Sequence, residues 1–548
     1  MKKLFSLIIL TLFILSTVIG CSPAESTSGS DNEPILIPDG TPGEAKTVSF
    51  LKTDKDLFTD RDFSTEYDAS SAINVTLTGN SAQCSSNKVR INGSVISLWD
   101  EQTYVISGNL DDGMILVNAN STHKVHIVLN GVNIKSNSSA PIYVSKADKV
   151  IVTLAEGTEN TLSNGGSFNA IDSTNIDSVI FSKQDITFNG SGSLKITSPA
   201  GHGIVSKDDI AITGGTYFID SLSHGIAAND SIRISGTSKF DITSGKDGLH
   251  AENTDDPTLG FVYISGGNFK INSTGDGISS KSTMQIENGV FDITTGGGKG
   301  NAPKNVTSYK GIKADSSVLI SNGDFNIVSA DDGIHSSQSI IINGGSMEID
   351  VSDDAIHADK ALDITNGRIN VKDSTEGIDA HDVTLCGGTV FLSSNKNGIS
   401  AFAIDESDTT STVIIKGGSL YIKSFDDGID SKGSVSISDG YTAINILAGE
   451  KAKGINYVIS SSLSGGVFIC TGTESNPFSE STQGTITLNV GAQAANSLLS
   501  VANSGGDIIL KHTPALEYSS IIVSSAEFAL SSSYKINISN KSFNVTAN

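Results

Sequence analysis

The stretch that decides the fold runs Ser339-Ile340-Ile341-Ile342, Asn343-Gly344-Gly345, Ser346-Met347-Glu348-Ile349-Asp350-Val351, Ser352-Asp353-Asp354-Ala355, Ile356-His357-Ala358. It reads as strand, bend, strand, turn and short strand, and each strand alternates apolar and polar residues. The next residues copy it: Ala361-Leu362-Asp363-Ile364, Asn366-Gly367, Arg368-Ile369-Asn370-Val371, Glu376-Gly377, Ile378-Asp379-Ala380. Gly311, Gly333, Ala355 and Gly377 stand 22 residues apart. A fixed period of that length marks a stacked repeat. Three strands per repeat, joined by bends too short for an antiparallel return, predict a triangular coil whose copies pair in parallel at about 4.8 Å.

Working outward, Gly-Ile marks recur from Gly203-Ile204 to Gly454-Ile455, with degenerate copies at Ala170-Ile171 and Pro141-Ile142. The fold expected is an all-β, right-handed, single-stranded parallel β-helix of about twelve coils of ~22 residues, capped at both ends. Gly pairs at 214–215, 266–267, 344–345, 387–388, 417–418 and 465–466 mark one corner, where a positive φ or a close neighbour demands Gly. Residues 136–480 form the repeat. Residues 47–135 are strand-rich but off-period and supply an N-terminal β cap and first strands, and 481–548 cap the far end, where open strand edges need covering.

The chain's 548 residues include 56 Gly, 10 Pro and one Trp. Its net charge of −24 disfavours nucleic acid and anionic membranes. Met1-Lys2-Lys3 and the apolar run Leu4 to Val18 form a signal peptide over residues 1–20. Val18-Ile19-Gly20-Cys21 resembles a bacterial lipobox, which implies a lipid on Cys21 and an outward-facing protein held at the cell membrane. Residues 21–46 read as a disordered tether. Cys84, Cys386 and Cys470 are odd in number, so no closed disulfide framework follows.

The acids carry the chemistry. Aligned coils put Asp247, Asp276, Lys310, Asp332, Asp354, Glu376, Asn397, Asp427 and Lys453 in one column, with His250, Ser279, Lys313, His335, His357, Asp379, Ser400 and Asp430 three residues on. Two carboxylates about 4.8 Å apart repel by about 0.9 kcal/mol in water and about 3.5 at an effective dielectric of 20. Ca²⁺ midway between coils sits about 2.4 Å from each, its normal distance to oxygen. The predicted Ca²⁺ ligands are therefore Asp247, Asp276, Asp331, Asp332, Asp353, Asp354, Glu376, Asp379, Asp426, Asp427 and Asp430. One His per coil among so many carboxylates favours a hard cation over zinc. The alternative is a bare solvated face relieved by Lys310, Lys313 and Lys360.

Leu57-Phe58-Thr59-Asp60-Arg61-Asp62, Tyr104 to Gly113, Lys149 to Asn160 and Asp185 to Gly192, with the Gly-Ile coils, resemble a clostridial-type family of secreted carbohydrate-binding β-helix proteins. That resemblance implies a pectate-lyase-like fold, bound Ca²⁺ and attachment to plant polysaccharides, polygalacturonate (pectin) and cellulose among them. The expected function is a monomeric, non-catalytic, Ca²⁺-dependent polysaccharide-binding protein of the cell surface. One alternative is a Ca²⁺-dependent pectate lyase acting on uronans, with Lys310 or Lys313 as the base. Another is a passive adhesin or scaffold.

Overall fold

The computed structural model describes residues 38–301, 308–447, 452–473 and 477–548. The predicted signal peptide, Cys21 and the tether up to residue 37 lie outside the described residues. The described residues form one unit.

The fold is all-β and is built from three files of parallel strands. In one coil, Ser317–Ile320 opens the first file, Asp324–Ser329 the second and Ile334–Ser336 the third. Each pairs in parallel with the strand one coil later: Ser317–Ile320 with Ser339–Ile342, Asp324–Ser329 with Ser346–Val351, and Ile334–Ser336 with the start of Ile356–Ile364. Parallel pairing runs from Ile73–Gly79 with Thr103–Leu110 to Tyr441–Ile446 with Val467–Thr471 and Ser460–Leu463 with Glu480–Ser481. Beyond it, Tyr518–Ser525 turns antiparallel against Val467–Thr471, and a separate four-stranded antiparallel sheet follows.

Alternation decides which side chains enter. In Ser346–Val351, Met347, Ile349 and Val351 are buried, while Ser346, Glu348 and Asp350 face outward. Identical positions in successive coils stack. Phe240, Phe269, Phe291 and Phe325 lie ring on ring at 4.8, 4.8 and 4.6 Å, within 6° of parallel. Such contacts add about 0.5–1.5 kcal/mol each to the burial of the rings.

At the bend between first and second files the two glycines of a pair serve different ends. A Cβ on Gly344 would stand 2.7 Å from the Ser321 carbonyl oxygen of the coil before. Gly345 has φ of +92°, a region that L side chains rarely enter. In two coils the predicted corner after the third strand is absent: Ile356–Ile364 and Ile378–Leu385 run straight through it. Only His381 separates the two halves of the lower strand, which leaves no room for a bend, and the strand above pairs along it with a register shift.

Residues 38–64, divided by sequence between a tether and a cap, instead form a strap along the first file. Moving up the chain, Gly43 N donates to Thr365 O (2.7 Å) and Lys46 exchanges two hydrogen bonds with Asn343. Lys52 does the same with Gln285, and Asp54 accepts from Tyr263 and Ser265. Arg233 donates to Leu57 O, and buried Asp62 is held by Lys149 (2.6 Å) and Thr187 (2.5 Å). Two single-turn helices, Asp54–Leu57 and Asp60–Phe63, carry capping boxes on Thr53 and Thr59. The strap thereby occupies the outer face of the first file, while the acids sit on the turn between the second and third.

Candidate functional site

That turn forms one continuous ladder. Gly248 N donates to Asp276 O, Gly277 N to Lys310 O, Gly311 N to Asp332 O, Gly333 N to Asp354 O, Ala355 N to Glu376 O, Gly377 N to Asn397 O and Gly398 N to Asp427 O. The second column is also in register, from His250 opposite Ser279 through Lys313, His335, His357, Asp379 and Ser400 to Asp430.

The side chains of the first column form a second ladder of their own. Asp247 Oδ1 accepts the N–H of Asp276 (2.8 Å), Asp276 Oδ1 that of Lys310 (2.8 Å) and Asp332 Oδ1 that of Asp354 (3.2 Å). Asp354 Oδ1 accepts from Glu376 (3.2 Å), Glu376 Oε2 from Asn397 (3.1 Å) and Asn397 Oδ1 from Asp427 (3.1 Å). Asp427 Oδ1 closes on Lys453 N at 2.6 Å. Each of these coils thus satisfies a turn N–H of the next, and the ladder is interrupted only at Lys310, whose ammonium donates to Asp331 and Asp332 instead. Where a rung is made, a neutral acceptor suffices, since Asn397 does the same work as the acids. The negative charge of its neighbours therefore exceeds what the ladder needs.

The file extends two coils further than the acids suggest. His202 Nδ1 accepts from His224 N (3.2 Å), and His224 Nδ1 from Asp247 N (3.1 Å). Sequence reasoning passed over both residues, although each directly precedes a Gly-Ile mark, Gly203-Ile204 and Gly225-Ile226.

The second carboxylate oxygens meet cations or crowd one another. Asp332 Oδ2 lies 2.8 Å from Lys310 Nζ and 2.9 Å from His335 Nδ1. Burial pushes its carboxyl up, but His335 and Lys310 outweigh burial and hold it at about 2. Lys310 also meets Asp331 at 2.9 Å, and although burial opposes its charge, Asp332 and Asp331 raise its pKa. Asp276 takes Ser308 at 2.6 Å and faces Lys313 at 3.6 Å. Burial, then the Asp247 charge, raises Asp276.

One coil on, His357 Nδ1 sits 3.4 Å from Asp354 and 3.1 Å from Asp379, with Nε2 3.0 Å from Asp359. Burial works against its charge, but these three carboxylates lift it to about 11. Glu376 is pushed up to about 7 by burial and by Asp354 and Asp379. Burial, with neighbouring acids, also raises Asp353, Asp354 and Asp427. Asp430 is taken by Lys432 (2.6 Å) and Asn456 (2.8 Å).

Among the described residues, three groups along this file can offer an ion three ligand atoms within 4.8 Å of one another: Asp331, Asp332 and Asp353; Asp354, His357 and Asp379; and His224, Asp247 and His250. Asp276, Glu376, Asp426, Asp427 and Asp430 share the file without entering these groups. A fourth group, Asp185, Asp208 and Asp209, lies at the entry to the first file, where Arg233 pairs with Asp209 at 2.7 Å. It was not foreseen, although Lys207-Asp208-Asp209 stands before a strand of that file. Aromatic rings on the outer surface, such as Phe391 and Tyr421, stack face to face at 4.9 Å and so spend their faces on each other.

A family model described as a carbohydrate-binding domain-containing protein matches residues 92–355 and 352–548. A carbohydrate-binding domain-containing protein of Acetivibrio thermocellus is 37% identical over 196 residues, covering 35% of this chain and 68% of the relative. A solved structure titled as a polysaccharide lyase-like protein from C. thermocellum, a gadolinium derivative, aligns at 29% identity. That alignment has a TM-score of 0.41 and spans 47% of this chain and 97% of the other.

Proposed function

The chain belongs to the family of carbohydrate-binding domain-containing proteins, and from that premise we propose that it is a Ca²⁺-dependent, non-catalytic binder of plant cell-wall polysaccharide. Its ligand is an anionic uronan of the polygalacturonate type, with cellulose as a second polymer. The parallel files close into a right-handed β-helix of about twelve coils. A lipid on Cys21 holds the monomeric protein outside the membrane.

The observation that carries this reading is the excess charge on the ladder. Glu376, Asp354, Asp353, Asp276 and Asp427 are all pushed up from the ordinary carboxylate range by burial, with neighbouring acids adding to it. Carboxylates crowded in this way are relieved by a divalent cation, and hard oxygen ligands favour Ca²⁺. With one oxygen of each first-column acid committed to a backbone N–H, an ion here keeps coordination positions open. Uronate carboxylates fill them, and the cation bridges an acidic protein to an acidic polymer.

A lyase would need an unprotonated base. Lys310 is paired with Asp331 and Asp332, and both raise its pKa, which favours the protonated ammonium. That supports binding without catalysis. The test is co-sedimentation of the protein with polygalacturonate in Ca²⁺ and in EDTA, with ultraviolet absorbance of unsaturated sugar ends read on the same samples. Binding that EDTA abolishes, with flat absorbance, is expected. An absorbance rise that Lys310→Ala or Lys313→Ala removes would establish the lyase, and no sedimentation at any Ca²⁺ concentration would leave the scaffold.

A further inference from the structure

We infer that His224, Asp247 and His250 form a site for a divalent transition-metal ion of the zinc type, distinct from the Ca²⁺ file that continues beyond them. It does not depend on the Ca²⁺ reading, although it moves Asp247 from one ion to the other.

At this end of the ladder the ligands change in kind. The first column switches from carboxylate to imidazole at His224, and the second column places His250 in the adjoining coil. The two rings lie 4.2 Å apart and nearly parallel, at 14°, so one ring must turn about its Cβ–Cγ bond for both in-plane lone pairs to meet one ion. Asp247 Oδ2 lies 2.7 Å from His250 Nδ1 and 3.5 Å from His224 Nδ1. Two imidazoles and one carboxylate, with room for a fourth ligand, are a common donor set for zinc, and the imidazoles select against Ca²⁺. Bonds of about 2.1 Å to a tetrahedral ion separate ligand atoms by roughly 3.4 Å. The His224 edge already has that length. The His250 edge, at 2.7 Å, is shorter and has to lengthen when an ion enters.

The site has an approach from solvent. His224 and His250, with His202 and Glu252, line a pocket of about 150 Å³. Glu252 Oε2 stands 3.2 Å from His250 Nε2, a carboxylate orienting the ring from its far side. Binding costs the ladder one rung, because the His224 Nδ1 lone pair leaves the Asp247 N–H.

The test uses the full-length, untagged chain, freed of metal by a chelator and titrated with Co²⁺. One equivalent with visible d–d bands is expected, displaced by Zn²⁺ and retained in a large excess of Ca²⁺. His224→Asn and His250→Ser should each abolish that equivalent. Both should fold, because Asn397 fills the same column further along the ladder and Ser279 the same register in the coil next to His250. Glu252→Gln should weaken binding by about 10–100-fold. Asp332→Asn, which bears on the Ca²⁺ file, should leave the Co²⁺ bands unchanged. Displacement of Co²⁺ by Ca²⁺, or an undiminished equivalent in the two histidine variants, overturns the proposal.

Discussion

Glu376→Gln should stabilise the metal-free protein at alkaline pH, although it deletes a charged group from a polar site. Glutamine keeps an oxygen for the Asn397 N–H that Glu376 now accepts at 3.1 Å. It removes a charge crowded by Asp354 and Asp379, which together with burial push the Glu376 carboxyl from 4.5 to about 7. A carboxyl raised on folding costs nothing while protonated in both states. The cost begins as pH rises past the unfolded value and is complete above the folded one. A shift of about 2.5 units corresponds to roughly 3.4 kcal/mol at about 1.36 kcal/mol per unit. Glu376 is only partly buried, so solvent screening brings this to about 1.5–2 kcal/mol. The assay is native-state hydrogen exchange at the Asn397 amide in EDTA, with urea midpoints in parallel, because a stacked repeat opens locally. Glutamine should protect that amide more than glutamate at pH 8 and equally at pH 4. Added Ca²⁺ should shrink the difference, since the cation relieves the same repulsion. A wild-type protein more protected than the variant at pH 8 without metal, or an equal gain at pH 4, refutes the reasoning.

Asp332→Asn should have the opposite sign. It takes the carboxylate from His335 and leaves Lys310 paired with Asp331 alone, and should cost about 1.5–3 kcal/mol in urea unfolding. Because the Asp332 carboxyl is depressed to about 2, its contribution is present above pH 3.8 and lost as pH falls through 2, which acid unfolding of wild type and variant will show. Asp62→Ala frees the strap from Lys149 and Thr187, and limited proteolysis should then cut within residues 50–64 faster than in wild type. Phe291→Ala removes one ring from the internal stack and should destabilise by about 3–5 kcal/mol, read from denaturant midpoints.

The repeat was legible because its cause is local and periodic. Alternation along Ser346–Val351 and the 22-residue return of the Gly-Ile marks come from pleating and stacking, and both are written in adjacent letters. The register of the two polar columns was legible for the same reason. The strap was not, because residues 38–64 carry no period and owe their course to single bonds with partners far along the chain, such as Asn343, Gln285 and, for Asp62, Lys149 and Thr187. The purpose of the first column was half legible. Its charge was visible in Asp332, Asp354 and Glu376, but its role as acceptor for the next coil's N–H appears only once the backbone is placed. For that reason His202 and His224, which do the same work without charge, went unrecognised beside the acids. The missing corner at Ala358–Ala361 came from pairing with the strand below, a constraint the upper repeat does not record.

The most direct measurement of the central claim is calorimetric titration of Ca²⁺ into chelator-treated protein, alone and with polygalacturonate oligomers present. Wild type is to be compared with a triple variant carrying Asp331→Asn, Asp353→Asn and Asp354→Asn, in which the amide oxygen introduced at position 354 can still accept the Glu376 N–H. The account predicts Ca²⁺ binding that the oligomer tightens, with both the binding and the tightening lost in the variant. Ca²⁺ binding that is unchanged in the triple variant, or indifferent to the oligomer in wild type, would contradict it.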